Sequence, residues 1–177
     1  MDTIQITPGG LSSGMLILRL IVGLVMAAHG AQKLFGWFGG YGLTGTGEFM
    51  VQLGFRQGRL FATAAALSEA AGGLLVALGF LGPVGPALII SVMLVAAVTV
   101  HWKNGLFATA NGIELPLLFG AAATAIALIG PGRYSLDAVF GITPVWTQTI
   151  SWIAIGVGVL GAIGNLALRQ APPKAPA

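Results

Sequence analysis

The stretch MAAHGAQKLFGWFGG (Met26–Gly40) closes an apolar run and sets His29 and Lys33 one helical turn apart, with Gln32 between them. An imidazole and an ammonium four residues apart share one helix face. Groups of the same kind recur further along. Glu69 stands in SEAAGGLL, His101, Lys103 and Asn104 cluster in HWKNGLF, and Asn111 and Glu114 stand in NGIELPLL. A histidine with a carboxylate is equipped for proton transfer, and nearby lysines suit an anionic substrate. Two histidines at similar depth are also the axial set for a haem b iron. With the carboxylates they form no known metal-ligand spacing, so a metal site is not expected.

These groups stand in an unusual setting. Of the 177 residues 56% are hydrophobic and only 7% charged, whereas soluble domains are about one quarter charged. The composition points to an all-α membrane protein. The net charge of +3 is small and scattered, so nucleic-acid binding has no footprint. The chain has no cysteine, which excludes thiolate ligation, disulfide exchange and a cysteine nucleophile.

A spanning helix needs about 20 mostly apolar residues. Gly14–Trp37, Arg59–Leu81, Val84–Trp102, Ile113–Gly130 and Val145–Leu168 qualify, predicting a four-helix transmembrane core plus a fifth transmembrane helix. The chain divides into an N-terminal segment (1–13), the core (14–130), a loop with the fifth helix (131–168) and a proline-rich tail (169–177). The N-terminus lacks a basic region and a small-residue cleavage site, so the first run reads as a retained span. The tail QAPPKAPA (Gln170–Ala177) reads as disordered. LGPVGP (Leu81–Pro86) predicts a tight hairpin. The glycine-rich Gly39–Glu48 lacks the Lys-Ser/Thr ending of a phosphate loop and reads as a flexible link, although Thr44–Leu53 has the mixed polarity of a short interfacial helix. Ala154, Gly158 and Ala162 form a small-residue packing stripe on the fifth helix.

With alternating helix direction, His29, Lys33, His101, Lys103 and Glu114 all come out on the side opposite the N-terminus. Glu69 lies about 15 Å inside, at about 1.5 Å per residue. The pattern predicts a polar vestibule with a carboxylate at its floor. Each element also has a plainer reading. The lysines can snorkel to the interface, Trp37 and Trp102 can belong to an aromatic belt, and Glu114 can serve a helix dipole. Arg19, early in the first helix, can stretch to headgroups. Glu69 resists such readings best, because a mid-span carboxylate must be protonated or paired with a cation. His29 comes second. The Lys/Arg bias (Arg56, Arg59, Lys103, Arg169 and Lys174 against Arg133) places the C-terminus in the cytoplasm. The two runs that begin at His29 and His101 echo one another, as a duplicated helix pair would.

LRLIVGLVMAAHGAQKLFG (Leu18–Gly36), SEAAGGLLVALG (Ser68–Gly79) and NGIELPLL (Asn111–Leu118) together resemble the DoxX family of small bacterial membrane proteins, over roughly Gly14 to Gly130. The resemblance implies a helical bundle in the bacterial inner membrane, related to the membrane subunit of a thiosulfate:quinone oxidoreductase. The corresponding expectation is a redox component, a quinone-linked oxidoreductase subunit passing electrons from a small anionic sulfur compound such as thiosulfate to quinone. Glu69 and His29 would handle protons, while Lys33, Lys103 and Arg56 attract the anion; His101, Asn111 and Glu114 complete the substrate-binding set. Expected partners are the lipid bilayer, redox subunits and a second copy of the chain. The rival readings are a non-enzymatic scaffold for another protein and a small-molecule transporter with Glu69 as proton carrier.

Overall fold

A computed structural model describes residues 8–170, and every regular element among them is helical. In chain order these are α1 (Pro8–Phe35), α2 (Gly42–Gln52), α3 (Gly58–Leu78), α4 (Val84–Ala96), α5 (Glu114–Ile129), α6 (Leu136–Val139) and α7 (Gln148–Ala167), with short 3-10 turns between them. The tail from residue 171, with Lys174, and residues 1–7 lie outside the described residues.

Local chemistry sets the ends. Gly36 leaves α1 in the left-handed conformation (φ 73°), which an L side chain disfavours. Gly79 ends α3 the same way at φ 63°. Beyond it Phe80 N donates to Leu75 O and Gly79 N to Val76 O, the paired bonds of a Schellman turn. Thr147 caps α7 by accepting from Ile150 N. α4 does not stop at Ala96. It continues through a π-helical turn (Ala97–His101) and a 3-10 turn (Trp102–Asn104), so the apolar span runs Val84–Asn104.

Four helical stretches are long and apolar enough to cross a membrane: Gly9–Phe35, Gly58–Leu78, Val84–Asn104 and Gln148–Ala167. The chain is a multi-pass integral membrane protein. The expected span Ile113–Gly130 is instead the 16-residue α5. At about 1.5 Å per residue it falls short of a hydrocarbon core of about 30 Å. The expected flexible link Gly39–Glu48 is largely helix, because Gly42 opens the 11-residue α2, the short helix foreshadowed from Thr44. α2 lies against the first turns of α3, where a Cβ on Gly58 would stand 2.1 Å from Gly47 O.

The central packing is α1 on α3, antiparallel and nearly backbone to backbone. A Cβ added at Gly23 would lie 2.5 Å from Ala77 N, at Gly30 2.4 Å from Ala70 N, and at Gly73 2.4 Å from Ala27 N. Glycines at these points let the helices approach where lipid offers no hydrophobic drive to associate. The small-residue stripe of α7 packs on α4, with Gly158 against Ala87. At the same end as the α2–α3 loop, the chain after α7 is tied down. Arg169 Nε donates to Leu53 O, and Gln170 N donates to Gly54 O at 2.9 Å.

Gly73→Leu therefore forces a side chain into the α1 backbone, a form of overpacking that costs about 1–3 kcal/mol or more. Thermal melts in detergent should show a clearly lowered midpoint, against no change for Gly120→Ala, where nothing lies within 4 Å. Equal midpoints would show that the seam is not closed as described.

Candidate functional site

The close seam fixes which side chains of α1 and α3 meet. One is Glu69, 3% exposed near the middle of α3, which accepts from the Lys33 ammonium on the last turns of α1. It is the only ion pair among the described residues. A carboxylate at that depth needs a cation, and Lys33 satisfies it from a position where its own side chain remains 27% exposed. Lys33 also lines a cavity of about 550 Å³ between the end of α1 and α2, with Gln32, Gly40, Tyr41, Thr46, Glu48 and Gln52 in its wall. Lys33 thus both pairs with a buried carboxylate and borders an open, mixed-polarity space. An arrangement of this kind can hold a proton donor next to a bound ligand.

His29 is exposed and lies outside that wall. Its Nδ1 is 3.1 Å from Gln32 Oε1, and its ring meets Phe119 of α5 edge-on. Gln32 Nε2 in turn donates to Phe38 O. His101, Asn111 and Glu114 come together elsewhere, in the α4–α5 connection. His101 Nδ1 is 2.8 Å from Asn111 O, Asn104 Nδ2 donates to the same oxygen, and Glu114 Oε2 accepts from Ala108 N at 2.7 Å. Lys103 and Arg56 are exposed at the same end. The hydrogen bonds thus join the expected residues in two groups, Lys33 with Glu69, and His101 with Asn104, Asn111 and Glu114 in one loop. No histidine lines the cavity, so its wall does not fit an axial haem ligand. No group of three or more metal-binding side chains occurs among the described residues.

The expected reach of Arg19 to headgroups is not observed. Arg19 is 1% exposed and packs on Gly79, where a Cβ would stand 1.5 Å from Nη1, and Nη2 donates to Tyr134 O. Beside it lies Asp137 of α6, fully buried, which the sequence reading missed. Its carboxylate accepts from Leu81 N at 2.9 Å and Gly82 N at 2.7 Å, and its own N–H donates to Gly79 O. Both Leu81 and Gly82 have positive φ (59° and 48°), and two such adjacent N–H groups form a nest for an anion. A lone aspartate in SLDAV, outside the apolar spans, carries no spacing that announces this role. This second polar cluster clasps the α3–α4 turn at the end of the bundle away from Glu69.

Helices able to span a bilayer around a buried ion pair define a multi-pass membrane protein with a polar intramembrane site. The DoxX family model matches residues 14–102, half of the chain, and the chain belongs to the DoxX family. Arg19, His29, Lys33 and Glu69 fall inside the matched segment, while Asn111 and Glu114 fall beyond it. No curated protein and no solved structure matches the chain.

Two expectations follow. Lys33→Met leaves a buried carboxylate unpaired and should destabilise the protein by about 2–4 kcal/mol. The double variant Lys33→Met/Glu69→Leu should recover most of that loss, measured as a coupling energy in a denaturant double-mutant cycle; additive effects would deny the pairing. Asp137→Ala strips an acceptor from two half-buried N–H groups and should cost about 1–3 kcal/mol. Asp137→Asn, which keeps one acceptor oxygen, should cost less in the same assay.

Proposed function

We propose that this chain is an integral membrane redox component of the bacterial inner membrane, with its C-terminus in the cytoplasm, and that a quinone head group binds in the cavity beside Lys33. The observation that carries the reading is the Lys33–Glu69 pair, with a buried carboxylate on one side of the ammonium and open space on the other. Reducing a quinone to a quinol takes two electrons and two protons. An ammonium in the wall can give one proton to a ligand oxygen, with Glu69 balancing the charge it carries beforehand, and the open side of the cavity admits the second. The electrons come from a reductant outside this chain, a small anionic sulfur compound in the finer form of the proposal, or through a partner subunit.

The distribution of charge bears on where each molecule sits. Lys33 is already neutralised by Glu69, and the cavity wall also carries Glu48. This favours an uncharged, hydrogen-bonding ligand there. Of the cations expected to attract an anion, Arg56 and Lys103 remain exposed and outside any ion pair among the described residues.

Proteoliposomes holding the wild-type chain, any subunit that co-purifies with it, a short-chain quinone and thiosulfate test the reading. Glu69→Gln, which removes the carboxylate that holds the Lys33 ammonium in place, should clearly lower quinone reduction, with the protein still folded. His29→Ala should also lower it. Full rates in both variants would overturn the proposal; a firmly bound second chain whose attachment and activity ignore both substitutions would point to a scaffold.

A further inference from the structure

The chain has two histidines, and both engage a partner through Nδ1. In each case chemistry dictates which atom donates. Phe38 O is a carbonyl and can only accept, so the Gln32 atom 3.2 Å from it is the amide nitrogen. That orientation turns Gln32 Oε1 toward His29 Nδ1, at 3.1 Å. An amide oxygen also only accepts, so the proton lies on Nδ1. At His101 the partner is the carbonyl of Asn111, 2.8 Å away, with the same consequence. A neutral imidazole carries one N–H, which leaves Nε2 of each ring as a bare acceptor.

The two arrangements correspond to one another. Each histidine is followed three residues later by an amide side chain, Gln32 and Asn104. Each amide donates to the carbonyl of a non-glycine residue in the left-handed region, Phe38 at φ 52° and Asn111 at φ 60°. Such backbone is disfavoured for L residues, less so for asparagine, and persists where its surroundings hold it. The difference lies in the wiring. At Asn111 the histidine and the amide share one carbonyl, whereas at Phe38 the amide stands between carbonyl and ring. Only His29 therefore owes its tautomer to a side chain.

We propose that Gln32 is a positioning residue that holds His29 as the Nδ1–H tautomer, which leaves Nε2 as a hydrogen-bond and proton acceptor. Any ligand meeting that nitrogen on the neutral ring must bring the hydrogen itself. The assignment stands apart from the quinone reading, because it concerns the resting protein and no electron carrier.

The test is ¹⁵N NMR of the full chain in bilayers, labelled only in histidine, at a pH where both rings are neutral, with His101→Gln separating the two signals. Wild type should show both rings protonated at Nδ1. In Gln32→Leu the His29 signal should lose Nδ1–H character and move to Nε2–H, while His101 stays unchanged. Gln32→Glu, whose carboxylate still accepts from Nδ1 but cannot donate to Phe38 O, should keep Nδ1–H. A wild-type His29 protonated at Nε2, a tautomer that ignores Gln32→Leu, or one that Gln32→Glu abolishes would each overturn the proposal. Should Gln32→Leu fail to fold, the wild-type and Gln32→Glu spectra still decide.

Discussion

The glycine–alanine seam between α1 and α3 is the constraint on which the polar chemistry depends. Gly23 sits on Ala77, Gly30 on Ala70 and Gly73 on Ala27, and that one antiparallel register accounts for the polar meetings at both ends. It brings Arg19 against Gly79 toward one end of the pair and Lys33 to Glu69 toward the other. A slip of one turn, about 5.4 Å, would leave a buried arginine and a buried carboxylate facing lipid or alkyl side chains. Close packing and the pairing of charges thus select the same register. Such agreement between levels singles out one structure from the many that apolar helices could otherwise adopt.

A second regularity concerns backbone strain. Phe38, Leu81 and Asn111 are the non-glycine residues with positive φ among the described residues, and a polar side chain secures each. Gln32 donates to the Phe38 carbonyl, His101 and Asn104 bond the Asn111 carbonyl, and Asp137 accepts from Leu81 N. Much of the polar inventory of this chain therefore holds turns where they close helix ends. Within the spans, the Lys33–Glu69 pair is not tied to such a turn, which separates it from the remainder as a candidate for chemistry.

Four of the five expected spans were legible because hydropathy over twenty residues is a strong signal, whereas Ile113–Gly130 is apolar enough but too short. Glu69 was legible as the group that most needed a partner, and Lys33 stood among its candidate neighbours. The rest was hidden for identifiable reasons. Asp137 matters only because the α5–α7 connection folds back onto the α3–α4 turn, a contact between residues 55 and 56 positions apart in the chain. The seam glycines look like any others in a glycine-rich sequence, and the regular spacing on α7 drew attention to a lesser contact. His101, Asn111 and Glu114 share one stretch of sequence, but residue types alone do not tell whether they point at a ligand or, as the hydrogen bonds show, at their own loop. Left-handed φ at Phe38 has no compositional mark, and the Asn111-Gly112 pair signals a turn but not its partners, so the histidine–amide pairs could be seen as an echo without their purpose.

The tie between the chain after α7 and the loop after α2 bears on how the molecule is made. A polypeptide reaches the membrane from its N-terminus onward, so α1, α2 and α3 are in place long before Arg169 and Gln170 are synthesised. Leu53 and Gly54, which end the helix walling the Lys33 cavity, receive their partners only then. The turn that follows the cavity wall is accordingly left without these two bonds until the end of the described chain has been made. A chain cut short before α7 would already carry its buried ion pair and have α2 packed on α3, but would lack the two bonds that hold the turn between them.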